Sequence, residues 1–137
     1  MYKKIAVAVD GSDNSMRAVA QAVDLAKLIP DCEVIVLSVI AIDVYSDMVY
    51  DPIEAHGESQ TELVEPALRV LKENGINAKI ELVHGRPADE IVRYTKNNGV
   101  DLLIIGSRGL NVLQEFAIGS VSHKVIKHCE CPALVVK

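Results

Sequence analysis

An apolar run, a glycine segment and an amphipathic helix follow one another near the C-terminus, and this order constrains the fold more than any other feature. Residues 101–105 (DLLII) have the pattern of a buried strand, and residues 121–129 carry apolar side chains every three or four positions, as a helix does. The glycine segment between them, GSRG at 106–109 and GSVS at 119–122, therefore spans a strand-to-helix connection. Such connections are typical of domains in which strands and helices alternate.

The composition of this glycine segment suits a negatively charged ligand. Glycine lets the backbone approach a ligand closely or adopt positive φ, and the first N–H groups of a helix have no partner within the helix. The hydroxyls of Ser120 and Ser122 can cap the helix or donate to phosphate oxygens. A glycine turn before a serine-capped helix is the alternative interpretation, since short motifs also match by chance. The P-loop motif and the dinucleotide fingerprint are both absent from the sequence.

The spacing of the segment, G-x2-G-x9-G-S from Gly106 to Ser120, resembles the nucleotide-binding signature of the universal stress protein family. The resemblance extends over nearly the whole chain, from KKIAVAVDGS at 3–12 to CPALVVK at 131–137. It implies a Rossmann-like, doubly wound α/β fold with a five-stranded parallel sheet, strand order 3-2-1-4-5 and helices on both faces. The length of 137 residues fits one such domain, residues 1–137.

Hydrophobic periodicity and turn residues divide the chain into five strands that alternate with four helices. Half of the residues are hydrophobic and only 4% are aromatic, which suits parallel strands buried on both faces. The predicted strands are residues 4–9, 33–40, 78–83, 101–105 and 133–137. The predicted helices run from a cap at Ser12 or Asn14 to about residue 29, from 59 or 61 to 74, from 87 to 98 and from 121 to 129.

Three further expectations concern the first half of the chain. Pro66 means either that the second helix begins close before it or that this helix kinks there. Residues 41–58 have no steady period and several acidic residues, and we expect a long, mobile loop that covers the ligand or carries partner contacts. The spacing in the first helix predicts an inward face made of Met16, Val19, Ala20, Val23 and Ala26.

A doubly wound sheet of this strand order binds ligands in the crevice at the carboxyl ends of strands one and four. The family's ATP-binding members imply that Asp10 lies near the ribose and that the backbone of Val39 reads the adenine edge. From the residues alone, Asp10 can instead be a turn former, Val39 a core residue and Arg108 a solvated charge. The predicted nucleotide-binding residues are Ala8, Asp10, Val39, Ile105, Gly106, Arg108, Gly109, Gly119, Ser120, Val121 and Ser122.

The resemblance implies ATP, AMP or another adenine nucleotide as the ligand, with Mg2+ or Mn2+ held mainly by the phosphates. We find no general base, P-loop lysine or paired carboxylates, and therefore expect at most a weak ATPase. The expected role is a nucleotide-dependent regulatory switch in the stress response. The alternatives are a dimeric interaction module that does not depend on ATP, and a slow ATPase or autophosphorylating protein with Ser120 or Ser122 as acceptor.

Charge and composition limit the classes of binding partner that we expect. A net charge of −5 argues against nucleic acid or an anionic membrane as the main partner. The sequence has neither an apolar run of spanning length nor a signal peptide, so we expect a cytoplasmic protein. The resemblance implies a homodimer through the final strand, residues 133–137, which would otherwise leave an open sheet edge. The downstream protein partner is not indicated.

The three cysteines fit no disulfide framework. A metal site is the sharper hypothesis, but its spacing is unusual for zinc, and buried, inert cysteines are the favoured interpretation. The side chains that such a site would use are His123, His128, Cys129 and Cys131.

Overall fold

The computed structural model describes residues 2–41, 53–108 and 118–137, with the backbone alone for residues 53–58. Within these residues, five strands alternate with four helices, as the periodicity predicts. In chain order the elements are β1 (Lys4–Ala8), α1 (Asp13–Leu28), β2 (Glu33–Ala41), α2 (Ile53–Glu73), β3 (Ala78–Gly85), α3 (Pro87–Asn97), β4 (Leu102–Gly106), α4 (Ser120–His128) and β5 (Ala133–Val136).

The strands form one parallel sheet in the order β3-β2-β1-β4-β5, which confirms the predicted fold class and strand order. At the centre of the sheet, Val7 of β1 pairs with Val36 of β2 and Ile104 of β4. Successive β1 side chains point to opposite faces. Ile5 and Val7 join the core cluster that includes α1 and α2, and Ala6 and Ala8 join the one that includes α3 and α4.

The N-terminus of α1 is capped as predicted, but its inward face differs from the prediction. The backbone N–H of Ser15 donates to Ser12 Oγ at 3.1 Å, which makes Ser12 the N-cap. Val19 is buried as predicted, whereas Ala20 is exposed. Ala18 and Ala22 are fully buried in its place. Alanine is too small to reveal which side of a helix faces the sheet, so the predicted face is rotated by about a quarter of a turn.

The second helix begins earlier than predicted. Residues 53–58, expected to belong to a loop, form the first turns of α2, and the remaining residues 42–52 of the predicted loop lie outside the described residues. Pro66 stands inside α2, so a helix start close before it is wrong. The fully buried Val64, Ala67 and Leu71 mark the apolar face of this helix. Upstream of that face the helix extends without an apolar stripe, because an existing helix gains one backbone hydrogen bond for each residue added.

Candidate functional site

A pocket of about 380 Å3 lies at the carboxyl ends of the strands and is walled by α2, α3 and α4. Ten of the eleven predicted nucleotide-binding residues line it, and Gly109 lies outside the described residues. The ten come from four separate stretches of the chain: the ends of β1, β2 and β4, and the start of α4. The lining residues that sequence reasoning missed are Val9, Ser15, Leu37, Ala41, Gln60, Leu63, Pro87 and Ile91.

Asp10 is both a turn former and a pocket residue. Its Oδ1 accepts a hydrogen bond from the backbone N–H of Ser12 at 2.9 Å, which is the geometry of an Asx turn. This turn leads from β1 into α1 and holds the carboxylate at the edge of the pocket. The two interpretations of Asp10 are therefore compatible.

Gly106 lines the pocket and also packs against α1. A Cβ at this position would lie 2.9 Å from the backbone carbonyl carbon of Asn14. Only glycine lets β4 and α1 approach so closely. Neither Gly106 nor Gly119 has positive φ, and φ of Gly119 is −62°. These two positions do not use the positive φ that glycine permits, because a strand end and a helix N-cap both have ordinary negative φ.

Two hydrogen bonds fasten the start of α4 to the end of β4. The N–H of Gly119 donates to the Ser107 carbonyl at 2.7 Å, and Ser122 Oγ donates to the Gly106 carbonyl at 2.7 Å. Gly119 is the N-cap and makes no side-chain capping bond, so Ser122 serves as a tether instead of the expected cap. The N–H groups without an acceptor inside the helix are therefore those that follow Gly119. Ser120, the first residue of α4, is exposed.

The opposite wall of the pocket is mostly apolar. Leu37 and Val39 of β2, Leu63 of α2 and Ile91 of α3 line this side, and Gln60 stands among them. Gln60 precedes the inward residues Leu63 and Val64 by three and four positions. This helical spacing from the inward residue Val64 is the signal that could have identified Gln60.

An open groove of about 600 Å3 also lies between α3 and α4, away from the strand ends. Two of its charged side chains pair with each other: Lys124 Nζ lies 2.9 Å from Asp89 Oδ1, and this hydrogen bond lowers the pKa of Asp89. Because the described residues that line the groove come from α3 and α4 alone, it lacks the strand ends and the helix start that meet in the first pocket.

Among residues 2–41, 53–108 and 118–137, no three His, Cys, Asp or Glu side chains are grouped closely enough to hold a metal ion. Cys129 Sγ lies 3.3 Å from Cys131 Sγ, and both cysteines are half-buried. Burial raises the pKa of Cys131 to about 12, so this thiol stays protonated at neutral pH. Within the described part of the chain, none of the helices has the length and apolar character needed to cross a membrane.

Solved structures at low identity share the fold and hold adenine nucleotides. A universal stress protein from Archaeoglobus fulgidus in complex with dAMP is 22% identical, with a TM-score of 0.75 and coverage of 99% of this chain and 98% of the other. An Arabidopsis thaliana family member with AMP bound is 24% identical, with a TM-score of 0.71 and coverage of 98% and 91%. A universal stress protein in complex with cAMP is 24% identical, with a TM-score of 0.77 and coverage of 99% and 97%.

Closer relatives establish the family. The universal stress protein YxiE of Bacillus subtilis is 36% identical over 149 residues, which cover 100% of both chains. The solved structure of the hypothetical protein MJ0577 is 34% identical, with a TM-score of 0.79 and coverage of 100% of this chain and 96% of the other. The family model described as the universal stress protein family matches residues 1–137. The chain therefore belongs to the universal stress protein family.

Proposed function

We propose that the pocket at the strand ends binds an adenine nucleotide, ATP in particular, and that binding switches a regulatory state of the protein. The observation that carries this proposal is the convergence of ten predicted residues on one pocket. The AMP, dAMP and cAMP held by relatives of the same fold support an adenine nucleotide as ligand.

In this proposal the phosphates lie against the start of α4. The N–H groups of Ser120, Val121 and Ser122 have no partner within the helix, and the helix dipole adds positive potential there. The Ser120 hydroxyl is exposed, whereas the Ser122 hydroxyl is buried and donates to Gly106. Phosphate oxygens would therefore be bound mainly by backbone N–H groups, with Ser120 and Arg108 at the rim.

The base lies at the other end of the pocket in the same proposal. The apolar side chains of Leu37, Val39 and Ile91 offer a surface for a purine ring, and the backbone of Val39 offers hydrogen bonds to its edge. Asp10 lies between these two ends of the pocket and would contact the ribose.

A divalent cation would be held mostly by the nucleotide itself. Asp10 is the one carboxylate among the described residues that line the pocket. Mg2+ commonly keeps several waters and takes one or two carboxylates together with substrate phosphates, so the chemistry of this donor set fits a phosphate-held ion. The pocket residues within the described ranges also include no histidine or lysine. We therefore propose binding with little hydrolysis.

Calorimetry of nucleotide-stripped protein with Mg-ATP tests the proposal, and the variants are Ser120→Asp and Ser120→Asn. Aspartate in the first turn of a helix is favourable for folding, but its charge repels phosphate. We expect saturable binding near one ATP per chain. Ser120→Asp should bind ATP about tenfold or more weakly than Ser120→Asn, because an asparagine amide can donate a charge-assisted hydrogen bond to phosphate and an aspartate carboxylate cannot. Absence of binding to the unmodified chain contradicts the proposed function. Equal binding by the two variants contradicts only the phosphate position.

The switch requires that ATP changes the protein elsewhere. Residues 41–58 include the connection between β2 and α2, both of which line the pocket. We expect ATP to slow protease cleavage within residues 41–58, with ADP-ribose as a control that supplies the base without a triphosphate. Unchanged cleavage at saturating ATP contradicts the coupling and favours an interaction module that does not depend on ATP.

A further inference from the structure

Gln60 is distinguished by its place in the pocket. On the side formed by α2, β2 and α3, it is the one polar side chain among the described lining residues. Its neighbours on that side, Leu37, Val39, Leu63 and Ile91, are apolar. The other polar lining side chains come from the ends of β1 and β4 and from α1 and α4, and they are Asp10, Ser15, Arg108, Ser120 and Ser122.

Hydrogen bonds determine which way the Gln60 amide is turned. Its Nε2 donates to the Val39 carbonyl at 3.3 Å and to Ser38 Oγ. A carbonyl oxygen can only accept, so the amide nitrogen must face Val39. Ser38 is 1% exposed, and its hydroxyl proton is donated to the Val9 carbonyl at 2.6 Å. Ser38 Oγ therefore accepts from Gln60, and both amide hydrogens have partners.

The consequence is a fixed acceptor in an apolar wall. With both hydrogens of Nε2 engaged, Oε1 is the part of the amide left to interact with a ligand, and it can only accept. The Val39 carbonyl has a second lone pair beside the one that receives Gln60. Two acceptors, Gln60 Oε1 and the Val39 carbonyl, thus lie together at this end of the pocket. Hydrogen bonds that link Val9, Ser38, Gln60 and Val39 hold them in place.

We propose that Gln60 is a specificity-determining residue that selects a 6-amino purine over a 6-oxo purine. This inference rests on the proposed function, because it assumes that the base lies at this end of the pocket. The 6-amino group of adenine carries two hydrogens and pairs with acceptors. The 6-oxo group of hypoxanthine or guanine is itself an acceptor, so it faces Gln60 Oε1 with no donor between them, which is costly in an apolar site.

Ser38 is a positioning residue in this arrangement. It does not line the pocket, but its hydroxyl links Gln60 to the backbone carbonyl of Val9, the residue that follows β1. Removal of this hydroxyl leaves Gln60 in place with one anchor, the Val39 carbonyl. The selectivity of Ser38→Ala should therefore fall between those of the unmodified chain and of a variant that lacks the Gln60 amide.

The test compares the Kd of ATP with that of inosine triphosphate, whose base is hypoxanthine. We expect the unmodified chain to prefer ATP by about tenfold or more, and Gln60→Met to lower this preference by about tenfold, since one hydrogen bond is lost from adenine and one repulsion from hypoxanthine. Methionine keeps the length of the side chain and removes its polar atoms. Arg69→Ala is the control on the same helix, because Arg69 is exposed and pairs with Glu65.

The outcomes separate this inference from the proposed function. ATP binding with an unchanged preference in Gln60→Met overturns the role of Gln60 and leaves the proposed function standing. Equal binding of both nucleotides by the unmodified chain overturns it too. Absence of ATP binding removes both. The measured quantity is the ratio of the two Kd values, so a smaller fraction of folded protein does not change it. Ser38→Ala tests the inference if Gln60→Met does not fold.

Discussion

At the scale of single residues, the pocket depends on contacts between backbones as much as on side chains. Gly106 ends β4 and lines the pocket, yet its missing side chain is what lets α1 lie against the strand. Gly11 has a similar function in the turn after β1: its φ is +84°, and a Cβ there would lie 2.9 Å from Leu63 Cγ of α2. Two helices are thus held close to the strand ends by glycines.

Gly106→Ala is expected to destabilise the chain by about 1–3 kcal/mol, the usual cost of inserting a methyl group into a packed site. The added Cβ would meet backbone atoms of Asn14 at 2.9 Å, and a backbone cannot move aside as a flexible side chain can. Urea unfolding measures the change. Gly75→Ala is the comparison, since Gly75 has φ +77° and no atom within 4 Å of the added Cβ. Both variants should lose stability, but only Gly106→Ala should weaken ATP binding.

At the scale of the elements, the sequence predicts the positions of strands and helices best where the pattern of apolar side chains alone determines them. The central strands β1, β2 and β4 are apolar runs buried on both faces, so their positions and the strand ends that carry Asp10 and Gly106 could be predicted. The start of α2 could not, because residues 53–58 have no apolar stripe. Gln60 was missed because the second helix was predicted to begin at residue 59 or 61, which placed Gln60 at the helix start and not on its inward face. The packing role of Gly106 requires the position of α1, which no local pattern contains.

Pro66 makes α2 a helix whose stability can be raised. It lies inside a helix of 21 residues and is exposed. Proline has no N–H to donate to the carbonyl four residues earlier, and it is about 3 kcal/mol less favourable than alanine inside a helix. Pro66→Ala should therefore stabilise the chain, by up to about that amount, as a higher urea midpoint. Ala67 beside it is fully buried and Glu65 pairs with Arg69, so Glu62→Ala is the appropriate exposed control. A lower midpoint for Pro66→Ala would show that α2 is shaped around the proline.

At the scale of the whole molecule, the sheet has two edges, β3 and β5. The four residues of β5 are all partly buried and apolar. Leu103 N–H donates to the Pro132 carbonyl and Ser107 N–H to the Val136 carbonyl. Backbone groups of alternate residues in a strand point the same way, so Leu134 and Val136 face β4, while Ala133 and Val135 point their N–H and C=O groups outward. An outward row of this kind is a template for pairing with a second copy of the chain.

We therefore predict that the chain forms a homodimer through β5 and that Val135→Pro weakens it. Proline at this position removes an outward N–H and leaves the hydrogen bonds between β5 and β4 intact, as proline does in natural edge strands. Val135→Ala is the matched control, because it loses the same apolar contacts and keeps the N–H. Sedimentation velocity should show a dimer for the unmodified chain and for Val135→Ala, and more monomer for Val135→Pro. If Val135→Pro and Val135→Ala associate equally, the interface lies elsewhere and the outward row of β5 is covered in some other way.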